Sequence, residues 1–72
     1  MKYVIVIESV ENGFSAYVPD LPGCVTVGES REEVEGHIQE AILLHLEGMN
    51  EDGLEIPKPT TEAVTMLIPN VA

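Results

Sequence analysis

Two turn signatures divide the first part of this chain into short extended runs. Asn12-Gly13 is the strongest short hairpin signal, and Pro19-Asp20-Leu21-Pro22-Gly23 is a second break built from turn-forming residues. Runs joined this tightly can only lie antiparallel, because a parallel pairing needs a crossover of about a dozen residues. The first run, Lys2 to Glu8, is β-branched and aromatic. Tyr3, Ile5 and Ile7 fall on one face and Val4 and Val6 on the other, which predicts a central strand covered on both sides. Phe14 to Val18 is the returning strand, with Phe14, Ala16 and Val18 on one face. Cys24 to Val27 makes a third strand, ended by Gly28.

A helix follows. Ser30-Arg31-Glu32-Glu33 is a capping box, in which the Ser30 hydroxyl accepts from the Glu33 amide and the Glu33 side chain reaches back to the Ser30 amide. Glu32, Glu33 and Glu35 suit the positive end of the helix dipole. Val34, Ile38, Ala41, Ile42, His45 and Met49 share one face at the helical period, which carries the helix to about Met49. Gly36 and Gly48 each cost about 1 kcal/mol against alanine, so the helix depends on packing. Leu43 points away from the apolar face. After a loop over 50–61, Ala63 to Ile68 reads as a last strand stopped by Pro69. The expected architecture is α+β, of order β-β-β-α-β, in one domain spanning residues 1–72. Its right-handed crossover places the fourth strand parallel to the first, in sheet order 3-2-1-4.

A domain of 72 residues buries only about 60% of the surface that its unfolded chain exposes. Its core alone seldom contributes more than roughly 3–5 kcal/mol. Cys24 has no second cysteine to pair with, so self-association is the expected further source of stability. Three basic residues stand against thirteen acidic ones, for a net charge of −10. Such a surface repels phosphate backbones and anionic membranes and attracts basic proteins. No apolar run reaches the ~20 residues of a membrane span, and Glu8 cuts short the one resemblance to a signal peptide. A cytoplasmic location is expected.

The residues with chemical potential do not assemble into a reaction centre on paper. His37 and His45 lie about 12 Å apart on a helix and cannot share a metal ion. Glu33 with His37, or His37 with Glu40, supplies two ligands where a zinc site needs three or four. Cys24 has no basic neighbour to lower its pKa and reads as a small buried hydrophobe. Glu8, Asp20, Glu29 and Asp52 are the carboxylates that a two-metal nuclease would have to bring within ~4 Å of its ions. They are scattered over strand ends and loops. No catalytic residue, metal or cofactor is expected.

The run Phe14-Ser15-Ala16-Tyr17-Val18-Pro19-Asp20-Leu21-Pro22-Gly23-Cys24, then Gly28-Glu29-Ser30, the acidic capped helix start Glu32-Glu33, and Glu51-Asp52-Gly53-Leu54-Glu55-Ile56-Pro57 resembles the HicB antitoxin family. The resemblance runs from Tyr3 to about Ile68. It implies a degraded ribonuclease-H-like fold and a protein that silences a small, basic, RNA-cleaving HicA toxin by binding it. Many members carry a C-terminal DNA-binding region. This sequence stops at Ala72, and the expectation is a chain with no direct nucleic-acid contact. Pro19 to Gly23 are expected to form a turn and not a site.

Two surfaces follow as candidates. Glu32, Glu35 and Glu40, on the polar side of the helix, would meet a basic toxin. Leu43 with Val64, Met66 and Ile68, the last three on one side of an edge strand, would form a two-fold homodimer interface. The alternatives are a metal-dependent nuclease remnant of the ribonuclease-H-like fold and an orphan structural homo-oligomer.

Overall fold

A computed structural model describes residues 1–70. Its elements are β1 (Val6–Val10), β2 (Gly13–Tyr17), β3 (Val25–Gly28) and α1 (Arg31–Glu51). The three strands form one antiparallel sheet in the order β1-β2-β3, with Val6 opposite Tyr17 and Tyr17 opposite Val25. The α+β class and the first four elements agree with the sequence pattern.

The hairpin sits where Asn-Gly requires, one residue out of the simplest register. Val10 pairs with Gly13, so Glu11 and Asn12 form the loop, and Asn12 takes φ +70, a conformation that asparagine tolerates better than most residues. β2 then leaves the ladder after Tyr17. Val18 N–H donates to the Cys24 carbonyl, Leu21 N–H to Val18 and Cys24 N–H to Leu21, which folds the Pro19–Gly23 segment into a compact turn. That turn drives Leu21 into the core with no exposed surface at all.

The core is Ala16, Val18, Leu21, Cys24, Val34 and Ile38. Tyr3, Ile7, Phe14, Ala41, Ile42 and Leu46 pack around it. Fully burying a side chain such as Leu21 or Ile38 contributes about 1.5–3 kcal/mol. The helix lies over β2 and β3 and not over β1. Its approach depends on Gly28, where an added Cβ would stand 2.7 Å from the Val34 backbone nitrogen.

The helix is capped at both ends. Ser30 Oγ accepts from the Glu33 amide at 3.0 Å, as a capping box demands. The return contact differs from the expected one: the Glu33 carboxylate accepts from the Glu29 amide, one residue before the cap. At the other end Gly53 adopts φ +69, with Gly53 N–H donating to Asn50 and Leu54 N–H to Met49. This is the Schellman arrangement, and it carries the helix two residues past the expected end.

Two expectations are not met in the single chain. β1 is an edge strand beginning at Val6, not a central strand beginning at Lys2, because β2 has turned away at Val18 and leaves the earlier residues without a ladder partner. The fourth strand over Ala63–Ile68 is absent, and with it the order 3-2-1-4: residues 54–70 carry no regular structure. An isolated extended segment has no ladder to satisfy its backbone, whatever its strand propensity. Val64, Met66 and Ile68 are therefore not residues of an edge strand. They stand in an uncovered tail.

Gly28→Ala should destabilise the fold by roughly 1–3 kcal/mol, because the helix backbone must move to admit the methyl group. Gly48→Ala meets nothing within 4 Å and should stabilise it by about 0.5–1 kcal/mol through helix propensity. Urea unfolding of the two variants gives both signs in one experiment.

Candidate functional site

The β2–β3 turn does more than reverse the chain, because it presents the carboxylate of Asp20 to the C-terminal segment. One oxygen accepts from the backbone N–H groups of Thr60 and Thr61, both at 3.0 Å. The other accepts from their hydroxyls, at 3.0 and 2.8 Å. The four bonds favour the charged form, led by the two from Thr61, and hold the carboxyl down at about 2. Nearby, the Tyr3 hydroxyl donates to the Pro57 carbonyl. Residues 57–61 are thus tied to the segment just before β1 and to the turn that follows β2.

Beyond Thr61 every described residue is exposed. Val64, Met66, Leu67 and Ile68 are between 70 and 98% exposed. The radius of gyration is 14.7 Å, against roughly 11 Å expected of a compact domain of this length.

Because the helix covers β2 and β3, an open groove of about 490 Å³ remains between it and the free edge of β1. Ile5, Ile7, Ile38 and Ile42 line its floor, and Gly36 and Gln39 lie along the helical wall. Arg31 and Glu35 close one side, with Arg31 Nε donating to the Glu35 carboxylate at 2.8 Å. On the opposite face of the sheet, Val6, Tyr17 and Val25 stand side by side, with Val27 beyond them, and Val25 and Val27 are largely exposed.

Glu32, Glu35 and Glu40 are all exposed. They do not form one patch, since Glu35 and Glu40 are about 140° apart around the helix at 100° per residue. Glu35 faces the groove and is engaged by Arg31; Glu32 and Glu40 do neither. Leu43 is exposed on the outer side of the helix, and Leu44 beside it is as exposed.

Of the other side chains with chemical potential, His37 has a structural partner, and His45 and Cys24 are partly or wholly withdrawn from solvent. His37 Nδ1 lies 2.8 Å from the Val27 carbonyl, tying the helix to β3, and Nε2 is 3.7 Å from Glu33. His45 is half-buried. Burial pushes the Cys24 thiol above its ordinary value. Among the described residues, no three His, Cys, Asp or Glu side chains come close enough together to hold a metal ion. No helix among them is long and apolar enough to cross a membrane.

Residues 3–71 match the family model described as the HicB-like antitoxin of the bacterial toxin–antitoxin system. A 14.9 kDa protein of Haemophilus phage HP1 is 47% identical over 58 residues, covering 81% of this chain and 44% of that protein. Antitoxin HicB 2 of Photorhabdus laumondii is 36% identical over 62 residues, covering 86% of this chain and 45% of its own. The chain therefore spans less than half the length of these two relatives. The fold is similar to that of a chain in the solved HicA3 and HicB3 toxin–antitoxin complex, with a TM-score of 0.72 and 30% identity, covering 83% of this chain and 70% of that one.

Asp20 should titrate with the tail. Its pKa lies below the ordinary 3.8, so its contribution to holding residues 60–61 is complete above that value and lost as pH falls toward about 2. The amide resonances of Thr60 and Thr61 should shift together with a midpoint near the lower figure. In Asp20→Asn both should already resemble a free segment at neutral pH. A midpoint at the ordinary carboxylate value would disprove the clamp.

Proposed function

The chain belongs to the HicB-like antitoxin family of bacterial toxin–antitoxin systems, and from that premise we propose that it silences a small, basic, RNA-cleaving HicA-type toxin by protein–protein contact. The observation that carries the reading is the likeness of its sheet-and-helix domain to a chain of a HicA3 and HicB3 complex. The net charge of −10 supports it, because a toxin that binds RNA must present a basic face. The family is one of regulators, and the activity proposed is binding without catalysis. Asp20, one of the four carboxylates that a two-metal nuclease would have had to gather, instead accepts four hydrogen bonds from Thr60 and Thr61. We assign the bacterial cytoplasm as the place of action, where an RNA-cleaving toxin meets its substrate.

Among the candidate contacts, Glu32 and Glu40 are free of ion pairs in the described residues and project from the helix into solvent. They steer the encounter more than they set the final affinity. Glu35 is shared with Arg31, and its replacement removes a helix-internal pair at the same time. Long-range steering is screened over about 8 Å at physiological salt.

Reversing Glu32 and Glu40 to lysine should lower the association rate with a catalytically silenced HicA-type toxin by about tenfold at low salt. The difference should shrink as salt rises, with dissociation changing less. Adding Glu35→Lys should deepen the effect while slightly lowering the melting temperature. Surface plasmon resonance over a salt series reads all of these. Binding that is indifferent to the charge reversals at low salt would remove the electrostatic contact, and the lack of binding by the wild type would remove the antitoxin reading.

A further inference from the structure

The tail from Ala63 to Ile68 and the free edge of β1 are each incomplete in a way that the other supplies. The tail has the sequence Ala-Val-Thr-Met-Leu-Ile, without a charge, in a chain that carries thirteen acidic residues. As an extended segment it sets Val64, Met66 and Ile68 on one side and Ala63, Thr65 and Leu67 on the other. All six are exposed, Leu67 almost completely. β1 presents an unpaired edge from Val6 to Val10, and beneath that edge lies the groove lined by Ile5, Ile7, Ile38 and Ile42. Exposed edges of this kind recruit further strands.

The geometry points to a reciprocal exchange: residues 63–68 of one copy add as a fourth strand along β1 of a second copy, and the second copy returns its own tail. The Asp20 clamp and the Tyr3–Pro57 bond hold the tail's root, and the residues beyond it are exposed and do not line the chain's own groove. A segment of six extended residues spans about 20 Å, ample to cover a five-residue strand. One face of the added strand would lower Val64, Met66 and Ile68 into the isoleucine-lined groove. The other would extend the outer sheet face that Val6, Tyr17 and Val25 already form. The sheet order 3-2-1-4 would then be completed between two chains, by a two-fold operation in which both copies use the same surfaces. Leu43, on the outer side of the helix, takes no part in this interface. A second copy is the favoured occupant because the tail is neutral as well as apolar. A basic partner would be drawn to the glutamates, and six uncharged residues add nothing to that attraction.

The dimer does not depend on the toxin reading, and its salt dependence has the opposite sign. Two copies of charge −10 repel, so dimerisation should strengthen with salt while toxin association weakens. Sedimentation of the full chain at micromolar concentration should give a dimer. Met66→Lys, a change at an exposed position in the single chain, should weaken it at least about tenfold without lowering helix content, because a charge would enter an apolar groove. In a mixture of isotope-labelled and unlabelled protein, nuclear Overhauser effects between chains should link the methyls of Val64, Met66 or Ile68 to those of Ile5, Ile7 or Ile42. A monomer at these concentrations, contacts confined to one chain, or tails that meet only each other would each overturn the exchange.

Discussion

A single carboxylate decides how the segment after the helix is anchored to the rest of the domain. Asp20 sits in a turn that exists because Leu21 must be buried, and it accepts four hydrogen bonds from Thr60 and Thr61, forty residues further on. No other side chain of the turn reaches the C-terminal segment by a hydrogen bond among the described residues. Without that anchor the loop after the helix would be held mainly by the Tyr3 hydroxyl on Pro57 and by the partial burial of Ile56. With it, the tail leaves the domain from a defined place, close to the end of the sheet where β1 begins.

The placing of the helix is the second constraint, and it follows from sterics more than from hydrophobicity. Val34 can approach β3 only because Gly28 has no side chain, and the buried contacts of Val34 and Ile38 follow from that approach. His37 reinforces the same pairing through the Val27 carbonyl. A helix pulled toward β3 cannot also cover β1. The groove beside β1 is therefore a geometric consequence of a glycine on the opposite edge of the sheet.

Much of this was legible in the sequence because it is local. The Asn12-Gly13 turn, the Ser30 cap and the apolar face from Val34 to Met49 are each written within a few residues, and each appears in the structure. The family pattern is also local, carried by Phe14 to Cys24, by Gly28-Glu29-Ser30 with Glu32-Glu33, and by the loop over Glu51 to Pro57. What was not legible is whatever depends on distant partners. Alternation over Ala63–Ile68 reports strand propensity and says nothing of which edge, or whose, the strand will join. The two apolar faces of residues 3–7 suggested a central strand, but one face has no cover in the single chain. Asp20 read as a turn former, which it is, and nothing near it signals the two threonines. Glu32, Glu35 and Glu40 looked equivalent as exposed glutamates. Only the geometry separates Glu35, which Arg31 holds at the rim of the groove.

The distribution of charge bears on whether one small acidic chain could both pair with itself and attract a basic partner. Two copies at −10, about 25 Å apart in water, repel by an amount that screening reduces to about 1 kcal/mol at physiological salt. Against this stands the burial of two tails, each bringing Val64, Met66 and Ile68 out of water. Even partial burial of each such side chain contributes on the order of 1 kcal/mol, several in all for the pair. In the proposed dimer, apolar contact would therefore outweigh self-repulsion at physiological salt. At an ionic strength of about 0.01 M the Debye length grows to about 30 Å, the repulsion rises to several kcal/mol and the balance closes. The same screening that permits self-pairing leaves charges within about 8 Å of a partner's surface effective. On the two proposed readings, a neutral Ala63–Ile68 and an acidic helix would separate the two demands in space, so that neither interface would have to be built from residues suited to the other.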